Sequence, residues 1–571
     1  MQPTPTRRLD RGALTLGLCA LVLASAAHAV SLRDDTAGSG LDFRYANGRS
    51  GAFYFPEIMG AGVGVLDYDG DGRMDIYLVQ GGALGPDADP AKRPGDRLFR
   101  NVTPPGAAQT LRFEDVTEPS GIHATGYGMG VAVGDFDNDG DDDLYVLNLG
   151  ANQLWRNDGE GRFRDVTEEA GVGDARWSVS ASFADIDGDG LLDLYVANYV
   201  DFDFVAHKRC RAAGGGETDY CSPSAYHGVA DSLYRNLGGG RFEDISVTSG
   251  IAAQPGPGLG VIALDANRDG RLDFYVANDG KPNYLWMNQG GGRFVDDAVL
   301  AGVAVNTDGA AEAGMGIDAV DFDRSGDDDL FVTHMRNESN TLYASVGDGW
   351  FEDRTARSGL AASSMAYTGF GTGWFDVDLD GWPDLFIANG AVVREPEPPA
   401  AEADYPYLQR DQLFRHNGRP GSDAALRDES ARAGDALAVR GITRGLALAD
   451  FNQDGRVDLA LSNLEGPARV LRNATDTAHH WIGFDLRRRD GTRAVHAEVR
   501  LLDGGTAPRL LRSHGDGSYA SARDPRVVFG LAAEDGPVAI EIRWPDGKRE
   551  RVTTLAHDRY HRLRQGDGEA L

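Results

Sequence analysis

Asp67-Tyr68-Asp69-Gly70-Asp71-Gly72-Arg73-Met74-Asp75 puts carboxylates at positions 1, 3, 5 and 9, with glycine at position 6. An apolar run, Gly62 to Leu66, precedes it, and another, Ile76 to Val79, follows. The pattern returns six times. The second copy has Asp135, Asp137, Asp139 and Asp143, and the third Asp185, Asp187, Asp189 and Asp193. The fourth has Asp265, Asn267, Asp269 and Asp273, and the fifth Asp321, Asp323, Ser325 and Asp329. The sixth has Asp376, Asp378, Asp380 and Asp384, and the seventh Asp450, Asn452, Asp454 and Asp458. Of these 28 slots 25 are Asp, which chance does not produce, so the chain is a repeat array.

Each unit has the same internal order. A glycine-rich apolar segment such as Gly128 to Val133 precedes the acidic stretch, and an alternating segment such as Asp143-Leu144-Tyr145-Val146 follows it. A Leu-aromatic-Arg-Asn segment comes third, as at Leu98 to Asn101, Leu154 to Asn157 and Leu233 to Asn236. A Phe-x-Asp segment comes fourth, as at Phe113 to Asp115, Phe163 to Asp165 and Phe242 to Asp244. The shortest interval between acidic stretches, 50 residues, is long enough for four short strands and their turns. Four strands per unit and seven units predict an all-β protein, a seven-bladed β-propeller. Small residues are needed where first strands crowd the axis, which accounts for their glycines. Gly256 to Gly260 and Gly369 to Gly373 lack the following helix that a nucleotide loop requires.

The seventh unit has no Phe-x-Asp segment after Val470 to Asn473. Leu41-Asp42-Phe43-Arg44-Tyr45 is predicted to supply it, pairing beside residues 468–473 and removing an open sheet edge. Insertions lengthen three units, between Gly81 and Pro94, from about Asp201 to Ala230, and from Val393 to Asp404. After Asn473 the acidic stretches stop and Arg becomes frequent. Alternating segments at Trp481 to Leu486, Val495 to Leu502, Val538 to Trp544 and Lys548 to Thr554 predict a separate small C-terminal β domain. Turns at Asp503-Gly504-Gly505 and Pro545-Asp546-Gly547 separate them. The expected organisation is a signal peptide over 1–29, the propeller over 30–475 and the small domain over 476–566.

Arg7, Arg8 and Arg11, the apolar run Ala13 to Ala24 and Ala27-His28-Ala29 have the form of a cleaved export signal. The run is short for a membrane span, so no span is expected after cleavage. Formal net charge is −32 for the chain, and −34 without residues 1–29, which excludes nucleic acid as a partner. Cys210 and Cys221 remain after cleavage and are read as a disulfide. A tetrahedral Zn²⁺ site from them with His207 and His227 is the alternative, but its usual short Cys spacing is absent.

Oxygen ligands at positions 1, 3, 5 and 9, with the position-7 carbonyl, suit a hard cation of high coordination number, and Ca²⁺ takes 6–8 oxygens. Mg²⁺ keeps more water, and no His or Cys in the stretches favours Zn, Cu or Fe. Leu78 stands at position 12 where an EF-hand has Glu, and the flanks read as strands, so the EF-hand is excluded. Up to seven Ca²⁺ are expected, more weakly held in the fourth, fifth and seventh copies with their neutral ligand, and structural in role.

The repeats resemble the FG-GAP/VCBS repeats of integrin α-like propellers, and nearly the whole mature chain resembles the cartilage acidic protein family with its C-terminal ASPIC/UnbV domain. Tyr54-Phe55-Pro56-Glu57-Ile58-Met59-Gly60 is similar to that family's N-terminal signature. His480-Trp481-Ile482-Gly483, Ser518-Tyr519, Asp524-Pro525-Arg526, Phe529-Gly530-Leu531 and Trp544-Pro545-Asp546-Gly547 resemble the ASPIC/UnbV pattern. The resemblance implies an exported Ca²⁺-binding propeller, secreted or held in the periplasm or at the cell surface, and no catalytic residue.

The expected function is an interaction or adhesion scaffold for an extracellular protein or glycan. An enzyme acting on a glycan or secondary metabolite in the propeller cleft is a second reading, and a maturation or carrier factor for another exported protein a third. No Gly-x-Ser-x-Gly or His-Glu-x-x-His motif supports the enzyme. His479-His480 reads as a linker-packing pair. Tyr220, Tyr226, Tyr405 and Tyr407 read either as sugar-stacking rings or as packing at the loop bases.

Overall fold

The computed structural model describes residues 30–212, 216–419, 421–502 and 509–571. The expected signal peptide and the expected turn at Asp503 to Gly505 lie outside the described residues. Seven four-stranded antiparallel sheets follow one another along the chain. Blade 1 runs Val63–Leu66, Asp75–Leu78, Arg97–Asn101 and Phe113–Asp115. The first strands of the other blades are Gly128–Gly134, Ser178–Ala184, Gly258–Leu264, Ile317–Val320, Gly369–Phe375 and Thr443–Ala449. Each of these seven strands packs against the first strand of the next blade, and that of blade 7 packs on that of blade 1. The cycle closes, as a propeller requires.

Closure of the last sheet corrects the expectation. The outer strand of blade 7 is Leu32–Asp34, paired Leu32 to Asn473 and Asp34 to Leu471, not Leu41 to Tyr45. Residues 41–45 continue past the end of that strand, where Arg44 bridges Pro467 and Phe43 O accepts from Ala468 N at 2.9 Å. The reason is a side-chain device found in six of the seven blades; in blade 4, where Ala298 has no hydroxyl, Asp296 accepts from Leu285 N directly. In blade 1 the Asp of Phe113-Glu114-Asp115 accepts the backbone N–H of Thr117, and the Thr117 hydroxyl accepts from Leu98 N on the third strand. Leu32-Arg33-Asp34-Asp35-Thr36 repeats this, Asp34 accepting from Thr36 N and Thr36 Oγ1 from Val470 N. Leu41-Asp42-Phe43 lacks the hydroxyl two residues after the acid.

After the fourth strand of blades 1 to 5 the chain makes a four-residue helical turn, as at Thr117–Ser120 and Thr167–Ala170, stopped by a glycine at positive φ. These turns are too short to leave a helical period in the sequence.

The C-terminal region forms a three-stranded and a five-stranded sheet over its own apolar core. His480–Arg487 pairs antiparallel with Val527–Ala532 and parallel with Arg559–Arg564. The second sheet holds Glu498–Leu501, Arg509–Arg512, Val538–Arg543 and Arg549–Leu555. Its last strand, Glu569–Ala570, lies beyond the expected end at 566.

Between these sheets, Asp516 to Asp524 leaves the small domain and enters the propeller axis. It bonds to the innermost strand of every blade. Ala522 exchanges backbone bonds with Val63 and Val65, and Ala520 O accepts from Val131 N. Ala520 N donates to Ser180 Oγ, and Asp516 Oδ2 accepts from Ala263 N. Ser518 exchanges backbone bonds with Ile317, and its Oγ accepts from Thr372 N; Asp524 N donates to Leu448 O. The axial glycines therefore leave room for a plug as well as for each other. A Cβ on Gly62 would lie 2.1 Å from Ala520 O, and one on Gly130 2.2 Å from Val179 O.

Candidate metal centres and their surroundings

Each acidic loop joins the first strand of a blade to the second, and its hydrogen bonds repeat around the ring. The position-9 Asp opens the second strand, with both oxygens taken by backbone amides. In blade 1 Asp75 Oδ2 accepts from Tyr68 N at 3.0 Å and Oδ1 from Asn101 N at 2.7 Å. The position-1 carboxylate turns one oxygen to the amide of the position-6 glycine, as Asp67 Oδ2 does to Gly72 N at 3.0 Å. Positive φ at that residue, 84° for Gly72, folds the loop back on itself. Position 5 accepts from the amide of position 7, as Asp71 does from Arg73.

What remains is a set of oxygens aimed inward with no partner. Asp67 Oδ1, Asp69 Oδ1, Asp137 Oδ1, Asp265 Oδ1, Asp321 Oδ1, Asp378 Oδ1 and Asn452 Oδ1 are buried and accept no hydrogen bond among the described residues. All stand at position 1 or 3, and they cover six of the seven loops. A buried acceptor left unmade costs about 1–3 kcal/mol, more when charged, so the donor set fits a cation between these oxygens. The third loop is the exception, because both Asp185 oxygens and Asp187 Oδ1 accept backbone amides. Even there, oxygens of Asp185, Asp187 and Asp193 lie within 4.8 Å of one another, as do those of Asp67, Asp69 and Asp71.

Electrostatics agree. Burial first, then the neighbouring loop carboxylates, push Asp135, Asp321 and Asp450 up to about 7. Asp75, Asp143 and Asp458 rise well above the ordinary range, burial again the largest cause, despite their two amide bonds. Arginines offset part of this charge from the side. Arg100 pairs with Asp69 at 2.7 Å and Arg354 with Asp323 at 2.9 Å, while the Asp69 oxygen facing inward stays unpartnered.

The Asn ending the third strand was legible as a recurring letter, not as a clasp. Asn157 Nδ2 donates to Tyr68 O of the preceding blade's loop at 2.9 Å. Asn101, Asn236, Asn288 and Asn473 do the same to Phe451, Phe136, Ile186 and Val377. Ser345 and His416 replace it in blades 5 and 6, and His416 instead sets its ring edge-on to Phe322, 5.1 Å away. Asn157→Ala is expected to lose about 1–3 kcal/mol in urea unfolding, because it strands the Tyr68 carbonyl. A loss below about 0.5 kcal/mol would show that the clasp carries no weight.

The small domain sits on the acidic-loop face and touches all seven loops. Arg526 reaches Gly72 O, Arg493 pairs with Asp142 at 3.0 Å, and Arg488 donates to Gly190 O. Arg543 pairs with Asp265 at 3.2 Å, Arg512 with Asp328 at 3.4 Å, and Tyr560 OH donates to Asp450 Oδ2 at 2.9 Å. On the sixth loop Ala532 N donates to Leu379 O. The arginine-rich segment after Asn473 is thus the counter-charge of the acidic ring.

The three insertions gather on the opposite face around Tyr54 to Gly60. The disulfide Cys210–Cys221 is present, so those sulfurs are not metal ligands. His207 Nε2 instead lies 3.0 Å from Ala52 O. Tyr220 and Tyr407 are buried loop-base groups, bonding Glu57 at 3.0 Å and Asp219 at 2.6 Å. Tyr226 stacks on Phe55, ring centres 5.4 Å apart. Among the described residues Glu57 forms no ion pair, and burial raises its carboxyl. A cavity of about 270 Å³ opens here, lined by Arg49, Phe53, Glu57, Tyr220, Arg394 and Tyr405 among others. The arginine Arg444, fully buried, closes the axis beneath it, donating to Ile58 O at 2.9 and 2.8 Å. This turn stands at one end of the axis and the plug at the other.

Comparison with known proteins agrees with this architecture. The FG-GAP-like repeat matches residues 67–146, 135–196, 265–332 and 321–387, and ASPIC and UnbV matches 488–570. Cartilage acidic protein 1 of Mus musculus is 29% identical over 311 residues, 53% of this chain and 44% of that protein. The Homo sapiens protein is also 29% identical, with 43% of its length covered. The chain spans less than half the length of these relatives. An Agrocybe aegerita lectin structure, described as recognising non-reducing terminal N-acetylglucosamine, aligns at TM-score 0.39 and 16% identity over 72% of this chain and 86% of that one. The chain is therefore an FG-GAP-repeat protein with a C-terminal ASPIC/UnbV domain, similar to cartilage acidic protein 1 over about half of its own length.

Proposed function

We propose that the protein is an exported calcium-binding scaffold that displays its insertion face to an extracellular protein or glycan. The observation that carries the calcium assignment is the unpartnered inward oxygen at position 1 or 3 in six of seven loops. Ca²⁺ would be held by positions 1, 3, 5 and 9 of each loop, from Asp67, Asp69, Asp71 and Asp75 to Asp450, Asn452, Asp454 and Asp458. When bound it supplies positive charge that cancels carboxylate repulsion. The residues themselves do the rest: the position-9 Asp ties the loop to the third strand, and the small domain's arginines seat on the outer oxygens.

Seven equivalent loops, covered by the small domain, are poorly placed to select a partner. The insertion face is unequal, aromatic and open. Arg49 lies over the Tyr405 ring at 4.1 Å, and the half-buried Tyr405 borders the cavity above Glu57. Rings, hydroxyls and the two carboxyls of Glu57 and Asp404 suit a sugar or an inserted side chain. The export-signal pattern of residues 1–29 and the disulfide support a location outside the cytoplasm.

The test is capture from native cell-surface extract on immobilised mature protein, with Ca²⁺ and with chelator. One protein or glycan is expected to be retained in Ca²⁺ only, and to be lost by the Arg49→Ala/Tyr405→Ala variant. Capture indifferent to both chelator and variant would sink the reading, and turnover of a small molecule would favour the enzyme.

A further inference from the structure

Away from the acidic loops, the small domain carries a cluster of a different chemistry. His480 Nδ1 and His557 Nδ1 both lie 2.7 Å from the same oxygen, Asp558 Oδ2. The imidazole rings are 4.0 Å apart, and the three groups are half-buried or exposed. His479, by contrast, packs as a linker residue, its Nδ1 2.9 Å from Asp378 O.

Hydrogen bonding alone satisfies this cluster badly. Nε2 of His480 lies 3.3 Å from Asp535 Oδ1, so its two ring nitrogens both face carboxylates. A neutral imidazole has one N–H to donate, so its other nitrogen sets a lone pair against a carboxylate. A metal ion removes the conflict. Nδ1 of each histidine and Asp558 Oδ2 become ligands, while His480 Nε2–H donates to Asp535. A metal-bound histidine commonly has such an outer carboxylate. The ligating carboxylate is held as well: Asp558 Oδ1 accepts from Trp481 N at 3.3 Å, and Asp558 N donates to Trp481 O at 2.6 Å.

We propose that His480, His557 and Asp558 form a binding site for a borderline divalent transition ion of the Zn²⁺ class. Two imidazoles and one carboxylate disfavour Ca²⁺ and Mg²⁺ and suit Zn²⁺, with an open position for water. Ligand bonds of about 2.0–2.1 Å require ligand atoms about 3.3 Å apart. The two Nδ1–Oδ2 separations are 2.7 Å, so these atoms would have to move apart by about 0.6 Å. The site uses none of the loop ligands, and it anchors the central strand of the three-stranded sheet, which carries Trp481, whose ring packs on Gly455 of the seventh loop.

The test is a Zn²⁺ titration of the full mature chain in saturating Ca²⁺, read by competition with a chromogenic zinc indicator. One Zn²⁺ per chain is expected, bound more tightly at about pH 8 than at about pH 6 because protons compete for the imidazoles. His557→Ala is expected to weaken it about 100-fold and Asp535→Asn about 10-fold. Unchanged melting of both variants in Ca²⁺ alone separates the site from folding. Zn²⁺ binding undiminished in His557→Ala, or absent from the wild type at about pH 7.5, overturns the proposal.

Discussion

Tyr519→Ala is expected to destabilise the whole molecule, not the small domain alone, by about 3–5 kcal/mol. Tyr519 is fully buried on the propeller axis, edge-on to Phe370 at 4.8 Å, with its hydroxyl donating to Met59 O at 2.7 Å. Truncation leaves a cavity where all seven first strands converge and strands the Met59 carbonyl beneath the insertion face. Tyr519→Phe keeps the ring and loses only the hydroxyl, so about 1 kcal/mol is expected. Urea unfolding followed by blade tryptophans and by small-domain signals gives the answer. Two separate transitions in Tyr519→Ala, with the propeller's unchanged, would show that the plug does not support the ring.

Calcium removal is expected to have the larger effect. Each site saturated at 100 times its dissociation constant adds about 2.7 kcal/mol to the native state. The loss on chelation should also depend on pH. In the metal-free native state burial and mutual repulsion hold loop carboxyls such as Asp135, Asp321 and Asp450 at about 7, against about 3.9 in the unfolded chain. The native state then binds more protons, so the stability these groups contribute is full below about pH 4 and is lost as pH rises through about 7. With Ca²⁺ bound, those carboxylates are held ionised, and the slope should vanish or reverse. Melting in chelator and in Ca²⁺ at about pH 5.5 and pH 7.5 measures both. A chelated protein as stable at the higher pH as at the lower would contradict the account of the loops.

The acidic loops were legible because their logic is local. Ligand positions, the glycine turn and the flanking strands all fall within about a dozen residues, and sevenfold repetition removes coincidence. Closure was legible in kind and missed in residue, because Leu41-Asp42-Phe43 matches the strand letters while only Leu32 to Thr36 supplies the hydroxyl that caps it. Non-local features left weaker traces. Ser518-Tyr519 is recognisable as a motif, but nothing in two small residues flanking a tyrosine tells that they fill an axis built from seven distant strands. The recurrent Asn of the third strand carried no clue to the clasp, since its partner is a carbonyl and has no letter of its own. The excess of Arg after Asn473 told of charge, and its pairing with the opposing ring appeared only when both were placed.

The central claim is tested most directly by isothermal titration of metal-free mature protein with Ca²⁺. Several sites per chain, up to seven, are expected, with those of the fourth, fifth and seventh loops weakest because Asn267, Ser325 and Asn452 replace a carboxylate. The Asp67→Asn/Asp69→Asn variant should lose one strong site and leave the others. Absence of Ca²⁺ binding by the folded wild-type chain would contradict the account.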